Sequence, residues 1–168
     1  MHPARLPTDE LLASCDLRTL RRGGPGGQHR NKVETAVVIE HRPTGLRAEA
    51  SERRSQADNR RMAIVRLRML LAVEHREVRE ASDLEQASPL WRGRMSGTRI
   101  DVSTEHADFP AILAELLDGL LGLSFDLSEA GKHFAVTSSQ LVNLLRSYPP
   151  ALSLVNSKRI ELGLRRLL

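Results

Sequence analysis

At 168 residues, with 40% hydrophobic and 27% charged side chains, the chain has the make-up of one well-buried domain or two small ones and not of a disordered polymer. The formal net charge of +4 comes wholly from the first half: residues 1–80 hold 16 Lys/Arg against 11 Asp/Glu, and residues 81–168 hold 9 against 10. That asymmetry predicts a polyanion, most simply nucleic acid, as the partner of the N-terminal half.

Trp91, Phe109, Phe125, Phe134 and Tyr148 all lie in the second half, so the basic half is excluded as a base-stacking platform and must grip backbone and shape. Cys15 is the single cysteine, which excludes an intrachain disulfide and predicts a reducing compartment with a buried free thiol. No apolar run approaches the ~20 residues that span a bilayer, and the N-terminus lacks a signal-peptide core. The expected location is cytoplasmic, with no membrane partner.

Taken in order, residues 1–8 are polar and proline-bearing, and Thr8-Asp9-Glu10-Leu11-Leu12 predicts a helix start with Thr8 as its cap and acids in the first turn. Cys15–Leu20 alternates apolar and polar residues, the pattern of a short half-buried strand. It runs into Arg21-Arg22-Gly23-Gly24-Pro25-Gly26-Gly27-Gln28-His29-Arg30-Asn31-Lys32, where four glycines and a proline in five positions exclude a helix or strand interior. Arg21, Arg22, Arg30 and Lys32 ring a single glutamine with no acid among them. Such a loop allows close backbone approach, and its charge points to phosphate.

Val33 to His41 is rich in β-branched residues with Val37 and Ile39 on one face, Arg42-Pro43-Thr44-Gly45 reads as a turn, and Leu46 to Ser51 alternates again, predicting a hairpin beside the first strand. From Ser55 to Arg79 no Gly or Pro interrupts a helical stretch, and Ala63, Leu67, Leu70 and Leu71 share the face that would cover the sheet. Arg53, Arg54, Arg60, Arg61, Arg66 and Arg68 are opposed only by Asp58 in that span. A solvated helix face accounts for such a run in most proteins. A second basic cluster in the same small module favours RNA contact, of the kind that positions without specifying.

Residues 81–108 break the pattern with Ser88-Pro89 and Gly93 through Gly97. Beyond Pro110, Ala111–Leu121 predicts an amphipathic helix ended by Gly122. Residues 126–145 resemble a helix-turn-helix, with Ala130, Phe134, Val136, Leu141 and Leu144 as its apolar contacts, Thr137 or Ser138 as cap, and Ala135 where the usual turn glycine would stand. A helical bundle packing on itself or on a protein explains the same pattern. Pro149-Pro150 breaks the helix, and Val155 to Leu168 forms a last one. The predicted class is α+β: a small mixed sheet with one long packing helix, followed by a mostly helical C-terminal part. The domain expectation is 1–80, a linker at 81–109, and a helical domain at 110–168.

Conventional catalytic signatures are missing. The histidines at 2, 29, 41, 75, 106 and 133 are scattered without metal-ligand spacing, and neither a Gly-x-Ser-x-Gly elbow nor a phosphate-cradling Gly-Lys-Ser/Thr loop occurs. What remains is Gly26-Gly27-Gln28, and its surroundings match as well. Gly-Gly-Gln-His-x-Asn-Lys, Ala36-Val37, the His41-x-Pro43-Thr44-Gly45 turn and Arg54-Ser55-Gln56 with Asn59-Arg60 together resemble the catalytic domain of class I peptide chain release factors, over roughly residues 14–75. The same domain occurs in small codon-independent peptidyl-tRNA hydrolases that rescue stalled ribosomes.

The resemblance implies a loop that enters the peptidyl-transferase centre of the large ribosomal subunit and promotes attack of water on the peptidyl-tRNA ester. It implies Gly26, Gly27 and Gln28 as the catalytic tripeptide, with Arg21, Arg22, His29, Arg30, Asn31, Lys32, Arg53, Arg54, Arg60 and Arg61 against rRNA and the tRNA acceptor end. It implies no cofactor and no metal, and it adds a glutamine N5-methyltransferase as a further partner. A stop-codon-reading domain and a Lys/Arg-rich C-terminal tail are not found in these 168 residues, which leaves codon-independent rescue as the expected activity. The alternatives are a non-enzymatic rRNA-binding protein on the same fold, and a DNA regulator acting through residues 126–145.

Overall fold

A computed structural model describes residues 1–20, 35–77 and 87–168. By its internal contacts the chain divides into two compact units, Leu6–Leu71 and Met1–Arg5 with Ala72–Leu168. The division falls inside the long helix.

The first unit opens with α1 (Thr8–Ala13), followed by β1 (Cys15–Leu20), β2 (Ala36–His41), β3 (Leu46–Ala50) and α2 (Gln56–Glu74, whose last turn belongs to the second unit). The three strands form an antiparallel sheet in the order β1-β2-β3. Thr8 does not cap α1. Pro7 occupies that position and its carbonyl accepts from Leu11 N at 3.0 Å, while the Thr8 hydroxyl, already inside the helix, accepts from Arg68 Nη2 at 3.2 Å.

In the sheet, Leu20 pairs with Ala36 and Cys15 with His41, while Val37 pairs with Ala50 and His41 with Leu46. Val37 and Ile39 are fully buried as their alternation predicts, but Ala36 and Val38 are buried too, so the central strand is covered on both faces. The β2–β3 turn follows its sequence: the His41 carbonyl accepts from Gly45 N at 2.8 Å, and Gly45 sits at φ +70°, a left-handed position that favours glycine. Arg42 fastens this end of the sheet to α1, donating to the carbonyls of Ala13 (2.6 Å) and Cys15 (3.1 Å) and to the Asp16 carboxylate (2.9 Å).

Helix α2 begins where Ser55 accepts from Asp58 N at 3.3 Å, and Ala63, Leu67 and Leu71 are fully buried along one face. It stops at Glu74, short of the predicted Arg79. The cause lies in the second unit: the Asp118 carboxylate accepts from Arg76 Nη1 at 2.9 Å and from Glu77 N at 3.2 Å, which draws the chain out of the helix.

The second unit contains α3 (Pro89–Gly93), a two-residue ladder of β4 (Met95–Ser96) with β5 (Arg99–Ile100), and α4 (Phe109–Gly122), α5 (Leu127–Phe134), α6 (Ser138–Arg146) and α7 (Pro149–Glu161). Helix α4 is buried from Phe109 to Leu120 instead of amphipathic. Its two acids are partnered: Glu115 accepts from Ser88 N (2.7 Å) and Ser88 Oγ (2.6 Å), and Asp118 holds Arg76. A helix with every face covered is the centre of its unit. Trp91 lies 4.3 Å from Phe134, centroid to centroid, and donates its indole N–H to the Phe134 carbonyl at 3.1 Å.

Asp126 caps α5, accepting from Ser128 N (2.7 Å) and Glu129 N (3.1 Å), and Thr137 caps α6, accepting from Gln140 N at 3.3 Å. Ala135 takes the left-handed turn position at φ +54°. Helix α7 starts on Pro149-Pro150 where the sequence predicts a break, because proline's missing N–H costs nothing in a first turn. It ends at Glu161, ahead of Gly163 at φ +72°, so residues 162–168 do not continue the helix that the sequence predicts to Leu168.

Candidate nucleic-acid interface

The register of the sheet decides what is brought together. Leu20 and Ala36 form the last pair of the β1–β2 ladder, and Ala50 pairs with Val37 beside them. The end of β1, the start of β2 and the end of β3 therefore share one end of the sheet. The segment 21–34 is inserted between Leu20 and Thr35, and Arg53 and Arg54 follow Ala50, so both basic stretches leave the sheet at the same end. Gly26, Gly27, Gln28, Arg21, Arg22, His29, Arg30, Asn31 and Lys32 all lie outside the described residues.

The arginine run of residues 53–68 separates into two groups. Arg66 donates to the Glu49 carbonyl at 2.6 Å and pairs with Glu52 at 2.7 Å, and Arg68 donates to the Leu6 carbonyl at 2.6 Å. These two hold α2 to its surroundings. The Glu52 carboxylate is held below the usual carboxylate range, first by backbone N–H groups and then by Arg66. Arg53, Arg54, Arg60 and Arg61 are exposed. Arg61 makes a 2.9 Å pair with Asp58 while its side chain stays 77% accessible, a pairing worth little in water. Arg53, Arg54 and Arg60 show no ion pair with any described residue. The four arginines expected at the interface thus stand at the start of α2, where the positive end of the helix dipole also favours an anion.

Beneath them lies Asn59, fully buried although its neighbours Asp58 and Arg60 are not. Its Oδ1 accepts from Arg53 N at 2.9 Å, and its Nδ2 donates to the carbonyls of Thr35 (2.6 Å) and Arg53 (2.9 Å). The sequence places it with Arg60 among the residues that carry the family resemblance but assigns it no role. The available signal was an asparagine in the first turn of a helix otherwise made of strong formers, a place such residues take when their amide serves nearby backbone. Cys15 is half-buried, and burial pushes its thiol up; it donates to the Leu11 carbonyl and has no position at this end of the sheet. Among the described residues no helix is long and apolar enough to cross a membrane.

Comparison with known proteins matches residues 11–106 to the RF-1 domain family. The chain is 31% identical over 149 residues to peptide chain release factor 1 of Delftia acidovorans, covering 79% of this chain and 40% of that protein. It is 44% identical over 80 residues to the chloroplastic peptide chain release factor PrfB1 of Arabidopsis thaliana, covering 45% of this chain and 17% of that one. It is 41% identical over 69 residues to an uncharacterized mitochondrial peptide chain release factor-like protein of Saccharomyces cerevisiae, covering 40% and 44%. The chain spans less than half the length of each of these relatives.

Proposed function

The chain belongs to the RF-1 domain family, and from that membership we propose that it hydrolyses the peptidyl-tRNA ester on the ribosome, independently of a stop codon, to rescue stalled complexes. The observation that carries this reading is the Gly26-Gly27-Gln28 tripeptide in a segment that leaves the sheet beside Arg53 and Arg54. In the proposed reaction, water attacks the ester carbonyl carbon and the bond to the tRNA 3′-oxygen breaks. The peptide leaves as a carboxylic acid and the 3′-oxygen takes up a proton.

Gly26 and Gly27 give the backbone access to angles closed to other residues, which aims the Gln28 N–H at the developing oxyanion or the leaving oxygen. A preorganised donor of this kind is worth about 10²–10³ in rate. The Gln28 side chain admits water and excludes larger nucleophiles, and the terminal 2′-hydroxyl of the tRNA relays the proton. Arg21, Arg22, Arg30, Lys32, Arg53, Arg54, Arg60 and Arg61 hold the protein on rRNA and acceptor-end phosphates. A glutamine N5-methyltransferase acting on Gln28 and a cytoplasmic site of action belong to the same reading.

The test is release of labelled peptide from peptidyl-tRNA on ribosomes programmed with a truncated message, a stop codon or a sense codon. Release on the truncated message without a stop-codon requirement is the expected result. Gly27→Ala is expected to abolish release and leave ribosome binding nearly intact. Equal loss of both would make the loop a binding element and the protein a non-enzymatic ribosome binder.

A further inference from the structure

We infer that Asn59 is a positioning residue that ties Thr35, where the Gly-Gly-Gln segment rejoins the sheet, to Arg53 at the head of the exposed arginines. The inference rests on the release reading above for its catalytic consequence and on geometry alone for the lock itself. Ladder pairing between β1 and β2 ends at Leu20 and Ala36, and between β2 and β3 at Val37 and Ala50. Thr35 and Arg53 lie just beyond those ends. Beyond the described ladder pairs, Asn59 takes the Thr35 carbonyl, the Arg53 carbonyl and the Arg53 N–H at once.

Thr35 is the residue on which segment 21–34 rejoins the sheet, and Arg53 begins the exposed arginine pair. An amide is the group this place requires. Its NH₂ gives two donors for two carbonyls and its oxygen one acceptor for the N–H. Aspartate would set a carboxylate against two carbonyl oxygens, and alanine would leave three part-buried backbone groups without their partner. Asn59 itself stays buried and does not reach substrate. Its effect is on where the loop rejoins the sheet, and a displacement of about 1 Å at a reacting group costs about 10²-fold in rate.

The experiment compares Asn59→Ala and Asn59→Asp with Leu67→Ala, a cavity variant in the same helix, Leu67 being fully buried. Two quantities are read at a temperature where all three remain folded: the kcat and half-saturating concentration for peptide release, and the hydrogen-exchange rate of the Arg53 amide. For both Asn59 variants, kcat is expected to fall about 10- to 100-fold with a half-saturating concentration changed by less than about threefold. In Asn59→Ala, exchange at Arg53 is expected to speed up while the Val37–Ile39 amides of β2 hold; in Asn59→Asp the carboxylate still accepts from the Arg53 N–H, and kcat carries the test. Leu67→Ala is expected to lose stability and keep kcat. Equal kcat values for the Asn59 and Leu67 variants, or unchanged exchange at Arg53 in Asn59→Ala, would overturn the inference. If the wild-type protein releases no peptide, the functional reading fails, and exchange at Arg53 still decides whether Asn59 is the lock.

Discussion

Two buried titrating side chains of the second unit pull its acid response in opposite directions. Burial pushes the His2 imidazole down to about 4, against its hydrogen bond from Nε2 to the His75 carbonyl, with Arg76 nearby adding to the decrease. Burial pushes the Asp118 carboxyl up to about 6, with Arg76 opposing and Glu77 adding to the rise. Between pH 6.5 and about 4 the unfolded chain takes up a proton at His2 that the folded one refuses, so stability falls as pH falls. Between about 6 and 3.8 folded Asp118 takes up its proton before the unfolded chain does, so stability rises as pH falls. The windows overlap and the two contributions offset each other. His2→Gln removes one side of that balance. On moving from about pH 7 to about pH 4.5 the variant should gain roughly 2 kcal/mol relative to wild type, read from urea denaturation at both values. An equal pH response in the two proteins would remove His2 from the balance.

At the level of elements, Gly119 shows why α4 departs from its sequence pattern. A glycine in a helix interior costs about 0.5–1 kcal/mol against alanine, yet a Cβ here would lie 2.6 and 2.9 Å from ring atoms of Phe134. That ring is fully buried and packed on Trp91, so it has no free direction to move. Gly119→Ala should therefore destabilise the unit by about 1–3 kcal/mol despite its better helix propensity, measured by chemical denaturation; a stabilised variant would show that the α4–α5 approach tolerates a methyl. The β2–β3 hairpin was legible because β3 alternates and Gly45 marks the turn, so local pattern and final place agree there; β1 alternates in sequence as well, yet its Leu17 and Leu20 are exposed. The helices of the second half were less so. Proline reads as a breaker at Pro149, yet its meaning depends on whether a helix precedes or follows. A covered helix such as α4 looks amphipathic when its acids find partners as distant in sequence as Ser88 and Arg76.

Over the whole molecule, the described arginines of residues 53–68 divide into cations that hold the fold and cations that face outward. Salt dependence can tell them apart. Removing one cation that binds a phosphate lowers the slope of log affinity against log salt by about 0.7–0.9. Replacing Arg53, Arg54 and Arg60 by alanine together should reduce the slope of ribosome binding by about 2, whereas Arg66→Ala, which breaks the Glu52 pair, should lower stability and leave the slope alone. Cosedimentation at several salt concentrations checks both, and equal slopes for the two variants would mean the exposed arginines do not meet phosphate. The family and the β2–β3 hairpin were determined by the sequence itself, because they reside in residue identity and short-range spacing. The grouping of Met1–Arg5 with Ala72–Leu168, the sorting of the arginines and the lock made by Asn59 were decided only by the tertiary structure. Each depends on residues meeting across a separation in the chain, 24 positions for Asn59 and Thr35, that no local periodicity records.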